Sequence, residues 1–165
     1  MSVALRPYLP GDAKRCAEIF RLSIEELAAD DYDEAQREAW AARADDEPAF
    51  AARLKGALTL VAMIDGAVAG FASLKGADTI DMLFVDPGFA RQGAGSALVE
   101  ALTRLAQARG AKRLTAEASD GARPLFEKLG FTAQKRNLVS VGDQWLANTT
   151  MTKALQPEGP KPRLQ

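Results

Sequence analysis

Between Asp86 and Ser96 the chain reads Asp-Pro-Gly-Phe-Ala-Arg-Gln-Gly-Ala-Gly-Ser, directly after the apolar stretch Ile80 to Val85. A strand, a glycine-bearing loop and a helix start, in that order, suit the binding of an anion. The first N–H groups of a helix have no intrahelical partner, and the helix dipole adds positive potential there. Gly93 and Gly95 remove Cβ atoms that would hold a phosphate away, and Arg91 adds a mobile charge. The chemistry would be that of a pyrophosphate cradle. A second reading is open from these residues alone: an ordinary strand-to-helix turn whose glycines serve only close packing.

Composition removes other chemistries. The chain of 165 residues contains no histidine. That excludes His-based triads, His metal ligands and a His general base. Its one cysteine, Cys16, excludes an intramolecular disulfide and argues against a zinc site, so no metal is expected and a reducing cytoplasmic setting fits. The formal net charge of −1 carries no basic surplus, so neither nucleic acid nor an anionic membrane is an expected partner. No apolar run approaches ~18–20 residues, and Pro7 and charge come too early for a signal sequence. The loop lacks the lysine of a P-loop, and its glycines miss the dinucleotide spacing. A homodimer is left open.

The loop needs a strand before it and a helix after it. Ile80, Met82, Phe84 and Val85 favour a strand, and Pro87 ends it because it has no N–H to donate. Ala94, Ala97, Leu98, Ala101, Leu102 and Leu105 lie on one stripe of a 3.6-residue period, which predicts a helix over about 93–109 with Gly110 as its stop. Upstream, Val3 to Leu9 reads as a short strand, and Asp12 suits the N-cap of a helix to about Ala29. Cys16 falls on the apolar face of that helix, as a core residue and not a nucleophile. Two shorter helices are expected, at about Asp33 to Ala44 and Pro48 to Lys55. Leu58 to Ile64 and Ala67 to Leu74 form a hairpin about Asp65-Gly66. Lys112 to Ala118 is the next strand. Ser119 or Asp120 then caps a helix to about Leu129, and Phe131 to Val141 with Asp143 to Lys153 form a last hairpin. Hairpins mix with crossovers, so the predicted class is α+β, with a mixed sheet of about six to seven strands. Residues 1–154 are expected to form one domain, and 155–165 a flexible tail rich in proline and charge.

Two segments carry a family resemblance. One is Leu83-Phe84-Val85-Asp86-Pro87 running into Arg91-Gln92-Gly93-Ala94-Gly95; the other is Ala122-x-x-Leu125-Phe126-Glu127-Lys128-Leu129-Gly130-Phe131. They resemble the GNAT superfamily of N-acetyltransferases over about residues 3–154. The segments IDMLFVDP and RNLVSVGDQWLANTTMTK further resemble a small bacterial branch described as YafP-like. The resemblance implies the GNAT (acyl-CoA N-acyltransferase) fold, with its sheet splayed between strands 79–86 and 112–118. It implies acetyl-CoA as cosubstrate and an amine of a small molecule or peptide as acceptor. The amides of Arg91, Gln92, Gly93, Ala94 and Gly95 would hold the pyrophosphate, with Ser96 in the same helical turn. The main chain of Leu83 and Val85, either side of Phe84, would pair with the pantetheine. One of those amides would also polarise the thioester carbonyl. Ser119 and Phe126 fall at further coenzyme positions.

The sequence departs from the family at several positions. Ala90 stands where Gln or Arg is usual, and Ser119 where asparagine is common. Phe126 replaces a tyrosine that often protonates the departing thiolate, and Thr79 replaces a common glutamate. A base for the acceptor amine must then come from elsewhere. Asp81 and Glu117 are acids within otherwise apolar strands, where burial would raise a carboxyl pKa to a useful value. Asp81 is the first choice of the two, and a hydrogen-bonded brace of the splay or an acid facing solvent is the plainer role for each. Tyr32 and Trp40 are expected on one acceptor wall, and Asn137, Trp145 and Asn148 on the other. Asp30, Asp31, Asp33, Asp45, Asp46 and Glu47 would favour a cationic acceptor or serve only as solvated caps. The rival to an enzyme is a coenzyme-binding sensor without turnover, because two usual catalytic side chains are missing.

Overall fold

The short strand β1 (Ala4–Pro7) leads through a 3-10 turn into α1 (Ala13–Leu22). Asp12 occupies the N-cap position of α1, as the sequence predicts, but its side chain makes no capping bond to the helix. Its carboxylate accepts a fork from Arg6, at 2.8 and 2.9 Å, and the N–H of Leu9 at 2.8 Å, which fastens the turn to β1. Nor does α1 run on regularly to Ala29, because Ser23–Leu27 forms a π-helical turn. α2 (Glu34–Ala41) is capped by Asp33, and α3 (Glu47–Lys55) by Asp46. Next come β2 (Leu58–Ile64), β3 (Ala67–Lys75), β4 (Thr79–Val85), α4 (Ala94–Ala108), β5 (Arg113–Ala118), α5 (Arg123–Lys128), β6 (Thr132–Val141) and β7 (Gln144–Ala154). This computed structural model describes residues 2–156. Most of the expected tail, from 157 onward, lies outside the described residues. Leu155 still belongs to the core, 6% exposed, with its N–H donating to Lys112 O. No helix among the described residues is long and apolar enough to cross a membrane.

The strands make one α+β sheet in the order β1-β2-β3-β4-β5-β7-β6. Every neighbouring pair is antiparallel except β4 and β5. That parallel pair consists only of Thr79 opposite Thr115 and Ile80 opposite Ala116. Beyond Ile80 the two strands separate, so Met82 to Val85 are paired on the β3 side alone.

A β-bulge sits where the strands part. Leu74 is opposite Ile80 but Ser73 is opposite Met82, so Asp81 is an extra residue in β4. The bulge shifts the alternation of the strand. Ile80 belongs to the core under α4 and α5, whereas Met82 and Phe84 join the core under α1 and α3. The main chain shifts with it. Asp86 N–H donates to Ala69 O of β3 at 2.8 Å, so by alternation Leu83 and Val85 turn their N–H and C=O groups toward the gap.

The sheet carries a core on each face. Leu98, Leu102, Leu114 and Met151 are fully buried on one, and Phe20, Phe71 and Leu54 are buried on the other. Each such side chain contributes about 1.5–3 kcal/mol of hydrophobic stabilisation, which holds the two half-sheets in place on either side of the gap.

Candidate active site in the splay of the sheet

The gap between β4 and β5 opens into a cleft of about 320 Å³. Phe84 forms part of its wall, packed edge-on with Phe20 at 4.6 Å and Trp40 at 6.0 Å between ring centroids. Trp40, Arg43 and Arg53 line it from the helical layer. Glu117 of β5, Ser119 just beyond it and Phe126 of α5 line it from the other half. Val139, Leu146 and Asn148 of the β6–β7 hairpin close the remaining side.

The two candidate bases both face this cleft, but not equally. Parallel register carries Asp81 alongside Glu117 just past the last paired residues. The apolar burial expected of both acids is absent: Asp81 is half-buried and Glu117 exposed. Both oxygens of Asp81 are taken by the guanidinium of Arg53, at 2.8 and 3.0 Å. Glu117 is held through one oxygen only: Oε2 accepts from Thr150 Oγ1 at 2.7 Å and Asn137 Nδ2 at 2.9 Å. Its Oε1 has no partner among the described residues. Asn137 also reaches Asn148 Oδ1 at 3.0 Å. It therefore stands behind the cleft and aims Glu117 and Asn148, instead of lining the wall itself.

Tyr32 is 5% exposed, yet its phenol is doubly used. It donates to Ala147 O at 2.5 Å and accepts from Asp120 N–H at 3.1 Å. Burial pushes its pKa above the usual phenol value, so it stays protonated and can donate at neutral pH. Its ring meets Trp40 at 5.6 Å on the cleft wall. Phe126 is 2% exposed and edge-on to Phe131 at 5.0 Å; it brings no donor to the cleft. Ser119 Oγ accepts from Ala122 N–H at 3.3 Å at the start of α5. Cys16 lies outside the cleft, fully buried, where desolvation pushes its thiol up to about 12; it is a core residue and not a nucleophile.

The glycine loop lies at the other end of β4. Arg91 and Gly93 both adopt left-handed φ, +63° and +90°, on either side of Gln92. Such alternation of hand turns successive N–H groups toward one side and makes an anion-binding concavity. Gly93 is the N-cap of α4 and offers no side-chain cap. The N–H groups of Ala94, Gly95 and Ser96 have no protein acceptor among the described residues. Arg91 is exposed and Ala94 fully buried, so Ala94 can contribute only its main chain. Gln92 Oε1 is buried without a hydrogen-bond partner. Asp86 anchors the loop by accepting from Gly88 N–H at 2.8 Å and from Arg15 of α1.

The cleft thus gathers Tyr32, Trp40, Asp81, Leu83, Phe84, Glu117, Ser119 and Phe126 from stretches far apart in the chain. Val85, Arg91 to Ser96 and Asn137 lie outside its lining. Trp145 does not face it: the side chain is 59% exposed, and only its carbonyl is used, accepting from Gln36. Arg43, Arg53 and Val139 are cleft residues that sequence reasoning missed. Arginines on short polar helices read as solvated surface, and no local pattern marks them as cleft residues.

The chain and its fold are similar to those of known proteins. A protein-family profile described as "Acetyltransferase (GNAT) domain" matches residues 28–155. The chain is 34% identical over 150 residues to the uncharacterized N-acetyltransferase YafP of Escherichia coli (strain K12), spanning 91% of this chain and 95% of that protein. A crystal structure from Rhodopseudomonas palustris described as "GCN5-Related N-acetyltransferase: Aminotransferase, Class-II" superposes with a TM-score of 0.92 at 57% identity, over 94% of this chain and 97% of that one. The PaiA N-acetyltransferase of Thermoplasma acidophilum, in complex with coenzyme A, superposes with a TM-score of 0.77 at 18% identity over 94% of this chain and 100% of that one, a likeness of fold.

Proposed function

This chain belongs to the GNAT family of acetyltransferases, and from that premise we propose that it transfers an acetyl group from acetyl-CoA to a primary amine of a small molecule or peptide. The observation that carries this reading is the splay itself. Leu83 presents unpaired main-chain groups to a cleft that also holds a carboxylate with one free oxygen, and Val85 continues that free edge beyond the cleft lining. The residues suit the cosubstrate. The uncapped start of α4 and the open space at Gly93 fit a pyrophosphate. The free edge of β4 fits the amides of a pantetheine arm, laid in as one more strand.

When bound, acetyl-CoA supplies a thioester carbonyl open to attack. A main-chain N–H of β4 stabilises the negative charge that develops on the carbonyl oxygen. An amine of pKa ~10 arrives protonated. Glu117, directly or through water, takes the proton that must leave the nitrogen. The nitrogen then bonds to the acetyl carbon as the carbon–sulfur bond breaks, and the second surplus proton on the nitrogen passes to the departing sulfur or to water. A thiol of pKa about 8.5–10 leaves readily as thiolate, so the reaction does not require a donor at Phe126. Asp81, closed by Arg53, is assigned to positioning. Transamination finds no support here, because it needs a Schiff-base lysine and no lysine among the described residues lines the cleft.

Glu117→Gln tests the assignment in an assay of thiol release from acetyl-CoA with an accepted amine. The expected outcome is a fall in kcat of about 10²-fold or more, with loss of the acidic limb of the pH–rate profile. Asp81→Asn is expected to cost less and to leave that limb in place. An unchanged profile in Glu117→Gln removes Glu117 as base. Tight coenzyme binding without release against a broad amine panel would favour a sensor.

A further inference from the structure

We infer that the acceptor carries an anionic group as well as its amine, and that Arg43, with the unused nitrogen of Arg53, binds that group at the mouth of the cleft. The inference rests on the acyl-transfer reading only for the identity of the amine.

The charges of the cleft do not cancel until such a group is present. Four charged side chains line it: Arg43, Arg53, Asp81 and Glu117. Arg53 and Asp81 neutralise one another through two hydrogen bonds. Glu117 is assigned to the ammonium of the acceptor. Arg43 is left over. It is exposed and makes no hydrogen bond or ion pair among the described residues, yet it stands on the cleft wall. It comes three positions after Trp40, the spacing that brings side chains to one face of a helix. The Nη1 of Arg53, on the same helical layer, is also without a partner among the described residues. Guanidinium groups pair with carboxylate and phosphate by parallel hydrogen bonds, and five N–H donors on Arg43 have nothing else to do.

The acidic residues that pointed to a cationic acceptor are placed elsewhere. Asp33 caps α2 and Asp46 caps α3. Asp45 pairs with Arg21 at 3.7 Å. Asp30, Asp31 and Glu47 do not line the cleft either. A polyamine would bring a second positive charge against Arg43 with no free carboxylate to receive it.

The test is titration calorimetry on the full chain, alone and with coenzyme A, using amines that differ by one group. Phosphoethanolamine is compared with ethanolamine, β-alanine with propylamine, and putrescine serves as the dication. The expected result is at least tenfold tighter binding of the anionic member of one pair or both, with putrescine weakest. The larger of the two advantages tells phosphate from carboxylate. In Arg43→Gln the ratio within each pair should fall to about one. Equal or tighter binding of ethanolamine, propylamine or putrescine, no measurable binding of any of the five, or an unchanged ratio in Arg43→Gln overturns the inference. Failure to bind coenzyme A would count against the proposed function alone, because the ratios are also read without it.

Discussion

Gly93 and Gly95 look alike in the sequence and do different work. An added Cβ at Gly93 would meet nothing within 4 Å, but its φ of +90° is one that L side chains rarely adopt. An added Cβ at Gly95 would lie 3.0 Å from Leu125 Cδ2, so this glycine lets α4 approach α5. Close packing therefore applies to Gly95, and the proposed cradle would rest on Gly93. Gly93→Glu is expected to abolish acetyl-CoA binding in calorimetry, through strain and repulsion at the phosphates. Its circular dichroism should stay that of the parent. Gly95→Ala meets only the tip of a flexible leucine and should cost about 1 kcal/mol or less in urea unfolding, with coenzyme affinity within a few-fold. Unaltered affinity in Gly93→Glu would sink the cradle.

At the scale of elements, β4 was legible as a strand but not as a bulged one. Simple alternation puts Ile80, Met82 and Phe84 on one face; the extra residue at Asp81 sends Ile80 to one core and the other two to the second. The first turn shows a similar local surprise. Asp12 is a plausible cap by type, but a carboxylate gains more from a forked arginine than from a single N–H. Arg6 holds the Asp12 carboxyl below its usual range, against the opposing effect of burial. A depressed folded-state pKa stabilises the protein above the unfolded value of ~3.9, and that contribution is lost as pH falls through the folded value. Asp12→Ala should therefore cost about 1–2 kcal/mol at pH 7, and the gap between parent and variant should close at strongly acid pH. Urea unfolding curves across that range check this; a gap that persisted unchanged in acid would contradict it.

For the molecule as a whole, the question is what holds an opened sheet open. The half-sheets on either side of the gap share only two residue pairs in β4 and β5. Tyr32 joins the helical layer to the far half, through Ala147 O and Asp120 N–H. Segment packing reinforces it: a Cβ at Gly121 would sit 3.3 Å from Asp31 and 3.7 Å from the carbonyl of Leu27. Tyr32→Phe leaves the Ala147 carbonyl and the Asp120 N–H unsatisfied, at about 1–3 kcal/mol. It should also raise the KM for acetyl-CoA, as the cleft loses its fixed width. A variant as stable as the parent would remove Tyr32 as the brace.

The glycine loop, the two family segments and the class of sheet were all readable from sequence, because each depends on contiguous residues. A strand, a loop and a helix start declare themselves by period, glycine and proline within a single stretch of chain. The roles of the acids could not be read that way. Asp81 is closed by an arginine 28 residues earlier, while Glu117 is oriented by Asn137 and Thr150, 20 and 33 residues later. Arg43 entered the cleft only because the helical layer folds over the splay. A carboxylate becomes a base, or an arginine an anion site, according to which partners it lacks, and partners at such separations are set by packing alone.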